Sequence, residues 1–244
     1  LKNNRLLGDD FIFSSLEDIK EINIPINKVV ILSFNPKWKN TTGYDCAVEI
    51  EVLRKFGPED VLIQYLSTSK VYQNSFTNIT EDYETCPSSP YSENKLIAEN
   101  FIARNFKYFH IFRASNVFNK YGGAPLTFLD IFLENLKNKL INFDVSLDSE
   151  RDFITTDFVA QVLKAKNISD SGVFNLSSSI PIKISQIIDT IASSNSIKME
   201  GLDINYGEDS VRQVLSNDKL LKSFKLIGLT KSILLKEFGE IYAK

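Results

Sequence analysis

The sequence is poor in the residues that build metal centres and disulfide frameworks. It contains one histidine, His110, and two cysteines, Cys46 and Cys86, which are not spaced as a C-x-x-C pair. Because structural and catalytic zinc sites draw their ligands mainly from these residue types, no metal site is expected. His110 lies in the apolar run YFHIF, which favours a core or edge histidine with satisfied hydrogen bonds. The cysteines are expected to be reduced thiols of a cytoplasmic protein.

An excess of one charge and long apolar runs are also missing. Lys and Arg number 28 against 31 Asp and Glu, for a net charge of −3, so no overall electrostatic footprint for nucleic acid is expected. No apolar run reaches the roughly 20 residues of a membrane-spanning helix and no secretory signal is recognisable, so no membrane association is expected. What remains is 43% hydrophobic and 24% charged, the composition of a globular protein.

Strand-like and helix-like patterns alternate along the first half of the chain. Runs rich in β-branched and aromatic residues predict strands at 11–15, 28–34, 60–67 and 108–113. Apolar residues at helical spacing predict helices at 46–56 and 92–106. This alternation indicates an α/β fold with a parallel sheet.

The second half of the chain is less regular. Residues 151–166 begin extended and turn helical, with Thr156 or Asp157 as the N-cap. The segment from about residue 177 onward is expected to form a smaller lobe, packed on the edge of the sheet. The other predicted elements are helices at 126–138, 183–193, 217–225 and 231–242, and strands near Ile141 and at 173–176.

The segment STSKVY, residues 67–72, directly follows the predicted strand 60–67. Open α/β sheets bind ligands at the carboxyl ends of their strands, so this turn is a candidate for chemistry. It offers the hydroxyls of Ser67, Thr68 and Ser69. Serine and threonine are also common turn formers, so the segment alone does not decide between the two interpretations.

The segment PYSENKLIAEN places Tyr91 and Lys95 four residues apart, on one face of a predicted helix. An ammonium near a phenol favours the phenolate and lowers its pKa from the usual value of about 10. Such a phenol can act as a general acid or base on a substrate oxygen, with Thr68 bonding the same oxygen. With nine tyrosines in the chain, roughly one such spacing is expected by chance, so the pair needs support from elsewhere.

Further segments follow in a recognisable order: FRASNVF (112–118), RDFITTDFVAQ (151–161), GVFNLSS (172–178) and DSVRQVLSNDKLLKSFKLIG (209–228). Together with STSKVY and PYSENKLIAEN they resemble the extended short-chain dehydrogenase/reductase family of NAD(P)-dependent nucleotide-sugar epimerases, dehydratases and reductases. The order and spacing agree from about residue 28 to the C-terminus. The resemblance implies a Rossmann-like doubly wound parallel sheet, with residues 1–140 and 151–176 binding NAD or NADP and residues 177–244 forming mainly a substrate lobe.

The resemblance also implies roles for individual residues. Tyr91 would be the acid/base, Lys95 would bind the nicotinamide ribose and tune Tyr91, and Thr68 would orient the substrate oxygen. Asp157 would be only a helix cap. The implied cofactor contacts are Leu32, Ser33, Ser67, Tyr91 and Lys95, and the implied contacts with the nucleotide sugar are Ser69, Asn116, Arg151 and Arg212, the two arginines at its diphosphate.

The chain departs from the family at its beginning. None of its ten glycines forms the Gly-x-x-Gly-x-x-Gly turn that cradles the pyrophosphate, and 27 residues precede KVVILSF. The first β-α-β unit is therefore missing or incomplete. Either the protein extends before Leu1, which the absence of an initial methionine favours, or it does not bind NAD(P) in the family's usual way. Ser69 and Lys70 also stand where 4,6-dehydratases carry Asp-Glu, which disfavours that activity.

These patterns leave three functions open. The leading hypothesis is reduction of a 4-keto-6-deoxy sugar nucleotide, with Tyr91 donating the proton. The alternatives are an NAD-dependent nucleotide-sugar 4-epimerase and a degenerate, non-catalytic binding protein. A homodimer is expected, packed through the helices predicted at 46–56 and 92–106.

Overall fold

The computed structural model describes residues 28–31, 48–57, 59, 61–118, 140–165, 171–194, 196 and 203–240. The strands in chain order are β1 (Lys28–Ile31), β2 (Leu62–Thr68), β3 (Tyr108–Ala114), β4 (Asn116–Phe118), β5 (Leu140–Phe143), β6 (Glu150–Arg151), β7 (Phe153–Thr155), β8 (Gly172–Leu176), β9 (Ile182–Lys183), β10 (Asp203–Tyr206) and β11 (Arg212–Gln213). The helices are α1 (Val48–Leu53), α2 (Pro90–Asn105), α3 (Thr156–Lys164), α4 (Ile184–Ser194), α5 (Asp218–Phe224) and α6 (Lys231–Glu240).

The largest sheet has four parallel strands in the order β1-β2-β3-β8. In its register Thr68 pairs with Ala114, and Ala114 pairs with Leu176. The carboxyl ends of β2, β3 and β8 therefore lie side by side at one edge. This confirms the predicted Rossmann-like α/β class, and it places the turn after β2 where such sheets bind ligands.

Helices cover both faces of this sheet. Successive strand residues point to opposite faces, so Tyr65 packs with Ala98 and Ile102 of α2, whereas Leu66 packs on the side of α3. The core on the Tyr65 face contains residues of α1 and α2, and the core on the Leu66 face contains residues of α3 and α5. Burial on both faces explains why apolar residues occupy both faces of these strands.

His110 is a core residue, as the sequence predicts. It is 1% exposed, and the Nε2 of Gln64 lies 3.2 Å from its Nδ1. The rings of Phe112, Phe174 and Phe224 surround it, with centroids 5.0–5.9 Å away. An imidazole so enclosed serves packing, which confirms the structural interpretation of this histidine.

The described residues also form three smaller sheets. β4 pairs with β7 and β5 pairs with β10, both in parallel, while β6 lies between β11 and β9. A third core joins α4 and α6 to β4 and β7. Within it, the ring centroid of Phe238 lies 4.7 Å from that of Phe118 and 5.3 Å from that of Phe153.

The helices and strands agree with most of the sequence-based elements, to within a few residues at their ends. One detail was wrong: the N-cap of α3 is Thr155, whose Oγ1 accepts a hydrogen bond from the N–H of Phe158 at 3.0 Å. Thr156 and Asp157 are already helical. The strand predicted at 11–15 and the helix predicted at 126–138 lie outside the described residues. In the described part of the chain, no helix has the length and apolar character to cross a membrane.

Candidate active site

The turn after β2 presents Thr68 at the carboxyl edge of the sheet. Thr68 is the N-cap of a single 3₁₀ turn over residues 69–71, and its Oγ1 accepts a hydrogen bond at 3.2 Å from the backbone N–H of Lys70. Because the oxygen accepts from the backbone, the hydroxyl proton is left to point elsewhere. Hydrogen bonding from the Thr68 side chain also lowers the pKa of the Tyr91 phenol, so the two groups are close neighbours. The structure therefore brings together the two residues that the motifs suggest.

Helix α2 begins in a way that fixes the position of Tyr91. Ser89 and Ser92 form a capping box, in which each side chain accepts a hydrogen bond from the other's backbone N–H, at 3.3 Å and 3.1 Å. Pro90 occupies the first helical position, where its missing N–H costs nothing. Tyr91 is thus the second residue of a helix whose first turn is well defined.

Lys95 lies one turn further along α2 and is 2% exposed. Its Nζ donates a hydrogen bond to the carbonyl of Leu66 at 3.1 Å, lies 4.5 Å from the ring centroid of Tyr65, and is 4.0 Å from Oε1 of Glu49. Burial lowers the pKa of Lys95 to about 8, although the carboxylates of Glu49 and Glu99 raise it. The ammonium is therefore held by three groups and still titrates closer to neutrality than an ordinary lysine.

The pKa of Tyr91 is raised, which is the opposite of the shift that the sequence suggests. Burial is the main cause, the hydrogen bond with Thr68 lowers the pKa, and the negative charge of Glu49 raises it. Lys95 is paired with Glu49, so its ammonium does not act on the phenol as an isolated positive charge. In this arrangement Tyr91 is a protonated phenol at neutral pH, suited to donating a proton.

A buried polar network ties α2 to the sheet behind this pair. Arg113 donates from Nη2 and Nε to Oε2 of Glu99, at 2.8 Å and 3.0 Å, and from Nη1 to the hydroxyl of Tyr72 at 2.7 Å. Tyr72 in turn donates to Oδ1 of Asn175 at 3.0 Å. Ser67 donates its hydroxyl to Glu99. These contacts connect β2, α2, β3 and β8 at the edge of the sheet that carries Thr68.

The sequence motifs include Glu99 and Arg113, but nothing in their spacing shows that they pair. Glu99 follows Lys95 by four residues, which is the available signal that both belong to one helix face. Ser67, a predicted cofactor contact, directs its hydroxyl to Glu99 in this structure. The predicted cofactor contacts Leu32 and Ser33 lie outside the described residues.

The predicted substrate residues lie on the turn after β2 and on three short strands, β4, β6 and β11. Ser69 contacts Gln213 of β11, with its Oγ 3.5 Å from Oε1 and its carbonyl accepting from Nε2 at 3.3 Å. Asn116, at the start of β4, donates its side-chain amide to the carbonyl of Asp152 at 2.9 Å. Arg151 is the register partner of Gln213. Gln213 thus contacts Ser69 through its side chain and pairs with Arg151 in the register of β11 and β6.

The two predicted arginines differ in how their guanidinium groups are used. Arg212 donates to Oε2 of Glu150 at 3.0 Å, to the carbonyl of Ser75 at 3.4 Å and to the side chain of Asn78. Arg151 has only long contacts with two carbonyls, at 3.4 Å and 3.5 Å, and no ion pair with a described residue. Burial lowers the pKa of Arg151. Of the two, Arg151 is the better placed to receive an anion.

Asp152 joins this region to the rest of the fold. It is fully buried, and its carboxylate accepts hydrogen bonds from the backbone N–H groups of Ser178, Ser179 and Leu215 at 2.9–3.3 Å and from the Ser178 hydroxyl at 2.7 Å. Desolvation raises its pKa to about 6 despite these four bonds. The sequence motif contains this residue but does not reveal its role.

The described geometry defines a class of protein: a Rossmann-type α/β enzyme with a hydroxyl, a phenol and an ammonium grouped at the carboxyl end of one strand. The sequence matches the NAD dependent epimerase/dehydratase family over residues 42–176, which is more than half of the chain. The chain belongs to this family. The predicted family and the prediction of an NAD-dependent enzyme are thereby confirmed.

Solved structures share this fold at low sequence identity. UDP-N-acetylglucosamine 4-epimerase from Methanobrevibacter ruminantium M1, in complex with UDP-N-acetylmuramic acid, is 17% identical with a TM-score of 0.72, over 94% of this chain and 80% of that one. RMD from Pseudomonas aeruginosa, complexed with NADPH, is 16% identical with a TM-score of 0.73, over 95% and 87%. UDP-glucuronic acid 4-epimerase from Bacillus cereus is 17% identical with a TM-score of 0.71, over 93% and 78%. No curated protein matches the sequence.

Proposed function

We propose that the protein uses NAD or NADP to modify a nucleotide-activated sugar, with Tyr91 as the acid/base. The observation that carries this proposal is the placement of Thr68, Tyr91 and Lys95 at the carboxyl end of β2. The family match supports the cofactor. The solved structures of similar fold with bound UDP-sugars or UDP-sugar derivatives support the substrate class.

The chain's own residues can perform the proton transfer. Tyr91 is protonated at neutral pH and shares a hydrogen bond with Thr68, so the two hydroxyls can hold one sugar oxygen between them. The phenol donates its proton to a carbonyl oxygen in the reductive direction, and the phenolate takes it back from an alcohol in the oxidative direction. The nicotinamide, when bound, supplies or accepts the hydride at the same carbon.

The described residues fit one end of such a cofactor. The Lys95 ammonium donates to the carbonyl of Leu66, and an ammonium at this edge of the sheet suits the hydroxyls of a ribose. The other end is not accounted for, because no Gly-x-x-Gly-x-x-Gly sequence occurs in the chain. Lys95 would therefore hold the nicotinamide side, and no pyrophosphate contact is assigned.

The substrate side is proposed to lie between the turn after β2 and strands β6 and β11. Ser69 contacts Gln213 there, Arg151 is the register partner of Gln213, and Asn116 donates to the carbonyl of Asp152, the residue after Arg151. A guanidinium without a carboxylate partner among the described residues is suited to a diphosphate, which it can bind through two parallel hydrogen bonds. Residues 177–244 would form most of this substrate lobe, as the sequence suggests.

Reduction and 4-epimerisation need the same residues and differ in the use of the cofactor. The protonated phenol of Tyr91 can serve either reaction, and neighbours of similar fold include 4-epimerases. A cofactor assay with purified protein and 4-keto and 4-hydroxy UDP- and dTDP-sugars separates them. A reductase consumes added NADPH or NADH in proportion to product. An epimerase turns over without net consumption, and a non-catalytic binding protein binds the sugar nucleotide without converting it.

A homodimer packed through α1 and α2 remains part of the proposal. The two helices pack against each other, and Phe56, Ile97 and Phe101 are only partly buried beside them. Apolar side chains of this kind suit an interface between identical subunits. Light scattering of the purified protein is expected to give twice the mass of the chain, and a monomer mass would remove this part.

A further inference from the structure

Glu49 of α1 is a buried carboxylate that belongs to none of the sequence motifs. Its side chain has no exposed area, and its Oε1 lies 4.0 Å from Nζ of Lys95, whose side chain is 3% exposed. Burying an ionised carboxylate is costly unless it is paired. A negative charge at this place, beside the catalytic pair, therefore calls for a functional explanation.

The other groups around Lys95 do not replace this carboxylate. Leu66 contributes a carbonyl, and Tyr65 contributes the face of its ring. Glu99 lies one turn further along α2, but Arg113 of β3 binds it through two nitrogens. In the part of the chain that the structure describes, the ion pair made by Lys95 is the one with Glu49.

Charged side chains from two other elements, Lys70 and Glu49, lie near Tyr91. Lys70, on the turn after β2, is exposed, and its Nζ lies 6.0 Å from the ring centroid of Tyr91. Glu49 acts on Tyr91 as well as on Lys95, and also on the buried phenol of Tyr65. One carboxylate on α1 thus acts on both members of the pair on α2.

We propose that Glu49 is a positioning residue that holds the Lys95 ammonium in place and keeps the Tyr91–Lys95 pair in its proton-donating form. The assignment rests on the proposed function of that pair. On Lys95, the carboxylate stabilises a positive charge that burial disfavours. On Tyr91, the same negative charge disfavours the phenolate, so that the phenol keeps its proton at neutral pH. Both effects keep the pair protonated, which is the form that can donate a proton to a carbonyl oxygen.

A double-mutant cycle in urea at pH 7 tests the pairing without cofactor or substrate. Glu49→Gln is expected to lower the folding equilibrium constant about tenfold or more in the wild-type background, because a buried ammonium loses its partner. In a Lys95→Met background the same change is expected to cost much less stability, because the ammonium that pairs with the carboxylate is then already absent. Equal losses in both backgrounds would show a packing role and overturn the proposal.

Glu51→Gln is the matched control, because Glu51 lies on the same helix and is exposed. It is expected to change stability little in either background. If Glu49→Gln does not fold alone, folding of the double variant with Lys95→Met would still support the pairing. Failure of both, with Lys95→Met itself folded, would contradict it.

The pH dependence gives a second measurement. Because the Glu49 carboxylate raises the pKa of Lys95 and of Tyr91, Glu49→Gln is expected to lower two pH values by about one unit or more. These are the pH at which the reaction rate falls on the alkaline side and the pH above which stability begins to rise. Both should be unchanged in Glu51→Gln. An unmoved stability profile contradicts the pairing whatever the activity. A confirmed pairing in a protein that converts no nucleotide sugar would instead contradict the proposed function, so the two failures are distinguishable.

Discussion

Glu99 of α2 and Arg113 of β3 form a buried two-point contact, in which Nη2 and Nε of Arg113 lie 2.8 Å and 3.0 Å from Oε2 of Glu99. Glu99 lies on the helix that carries Tyr91 and Lys95, and Arg113 lies on the strand beside β2. The contact therefore fixes the helix of the proposed catalytic pair to the sheet that carries Thr68. Neither charge is expected to be tolerated without the other.

Replacing Glu99 by glutamine should therefore lower the free energy of unfolding by about 3 kcal/mol, because the Arg113 guanidinium stays buried without a counter-charge. Urea denaturation measures the loss. Glu84→Gln serves as the control, because Glu84 is exposed in the loop before α2, and is expected to change stability by less than about 0.5 kcal/mol. A loss below about 1 kcal/mol in Glu99→Gln would contradict this role for the contact.

Tyr91→Phe should reduce the rate of sugar conversion by about a hundredfold to ten-thousandfold, because the phenol proton is lost while the ring is retained. The fold should remain, since the ring still packs beside the core of α1 and α2. Steady-state kinetics with the substrate found in the cofactor assay measure the effect. Tyr206→Phe, at a position 58% exposed, is the control and should be fully active. Unchanged activity in Tyr91→Phe would remove the catalytic assignment.

Asp152→Asn should destabilise the protein by about 3 kcal/mol. In the wild type the carboxylate accepts hydrogen bonds from backbone N–H groups, and the amide NH₂ of asparagine would face some of these donors instead of accepting from them. Thermal or urea unfolding measures the loss. Asp148→Asn is the matched control, since Asp148 is 71% exposed in a surface pair with Lys183 and such pairs contribute about 0–1 kcal/mol. Similar losses in the two variants would contradict the proposal that the Asp152 carboxylate stabilises the fold by linking the backbone at Ser178 to that at Leu215.

The Asp152 carboxyl also predicts a pH dependence. Its folded-state pKa of about 6 lies above the ordinary value of 3.8, so the folded protein holds more protons than the unfolded chain between these values. The stability contributed by this group is therefore fully present below about pH 4 and falls as the pH rises to 6. The stability difference between wild type and Asp152→Asn should shrink over that window. A constant difference would show that the carboxyl does not titrate there.

Lys95 predicts the opposite trend at alkaline pH. Its folded-state pKa of about 8 lies below the ordinary value of 10.5, so the unfolded chain binds more protons between these values and stability rises with pH there. Lys95→Met should remove this rise, which urea midpoints from pH 7 to 10 measure. Lys236→Met, in an exposed pair with Glu240, should keep it. Persistence of the rise in Lys95→Met would assign it to another group.

Replacement of Arg151 and replacement of Arg212 should affect different properties, UDP binding and stability. Arg151→Met is expected to weaken the binding of UDP about tenfold to a hundredfold with little loss of stability, because its guanidinium is held only by long carbonyl contacts. Arg212→Met should instead lower stability, because three groups lose their donor. Calorimetric titration with UDP and urea unfolding measure the two quantities. Arg104→Met, exposed near the end of α2, should change neither, and unaltered UDP affinity in Arg151→Met would remove it from the diphosphate site.

Much of the fold follows from local patterns in the sequence. Apolar runs bounded by turn residues predict β2, β3 and β8, and the Pro90 start predicts α2, because backbone periodicity and capping act over a few residues. The grouping of Tyr91 with Lys95 follows from helical spacing in the same way. Placement of Thr68 near them follows from a general rule about the carboxyl ends of parallel strands.

The sequence by itself therefore determined the α/β class, the order of its elements and the residues of the proposed catalytic group. The tertiary structure alone decided which charges meet across elements: Glu49 with Lys95, Glu99 with Arg113, and Arg212 with Glu150. These partners are far apart in the chain or carry no periodic signal. Because their pairing depends on burial and on the packing of helices against the sheet, only the folded arrangement could show that Arg212 is paired with Glu150, whereas Arg151 has no ion pair with a described residue.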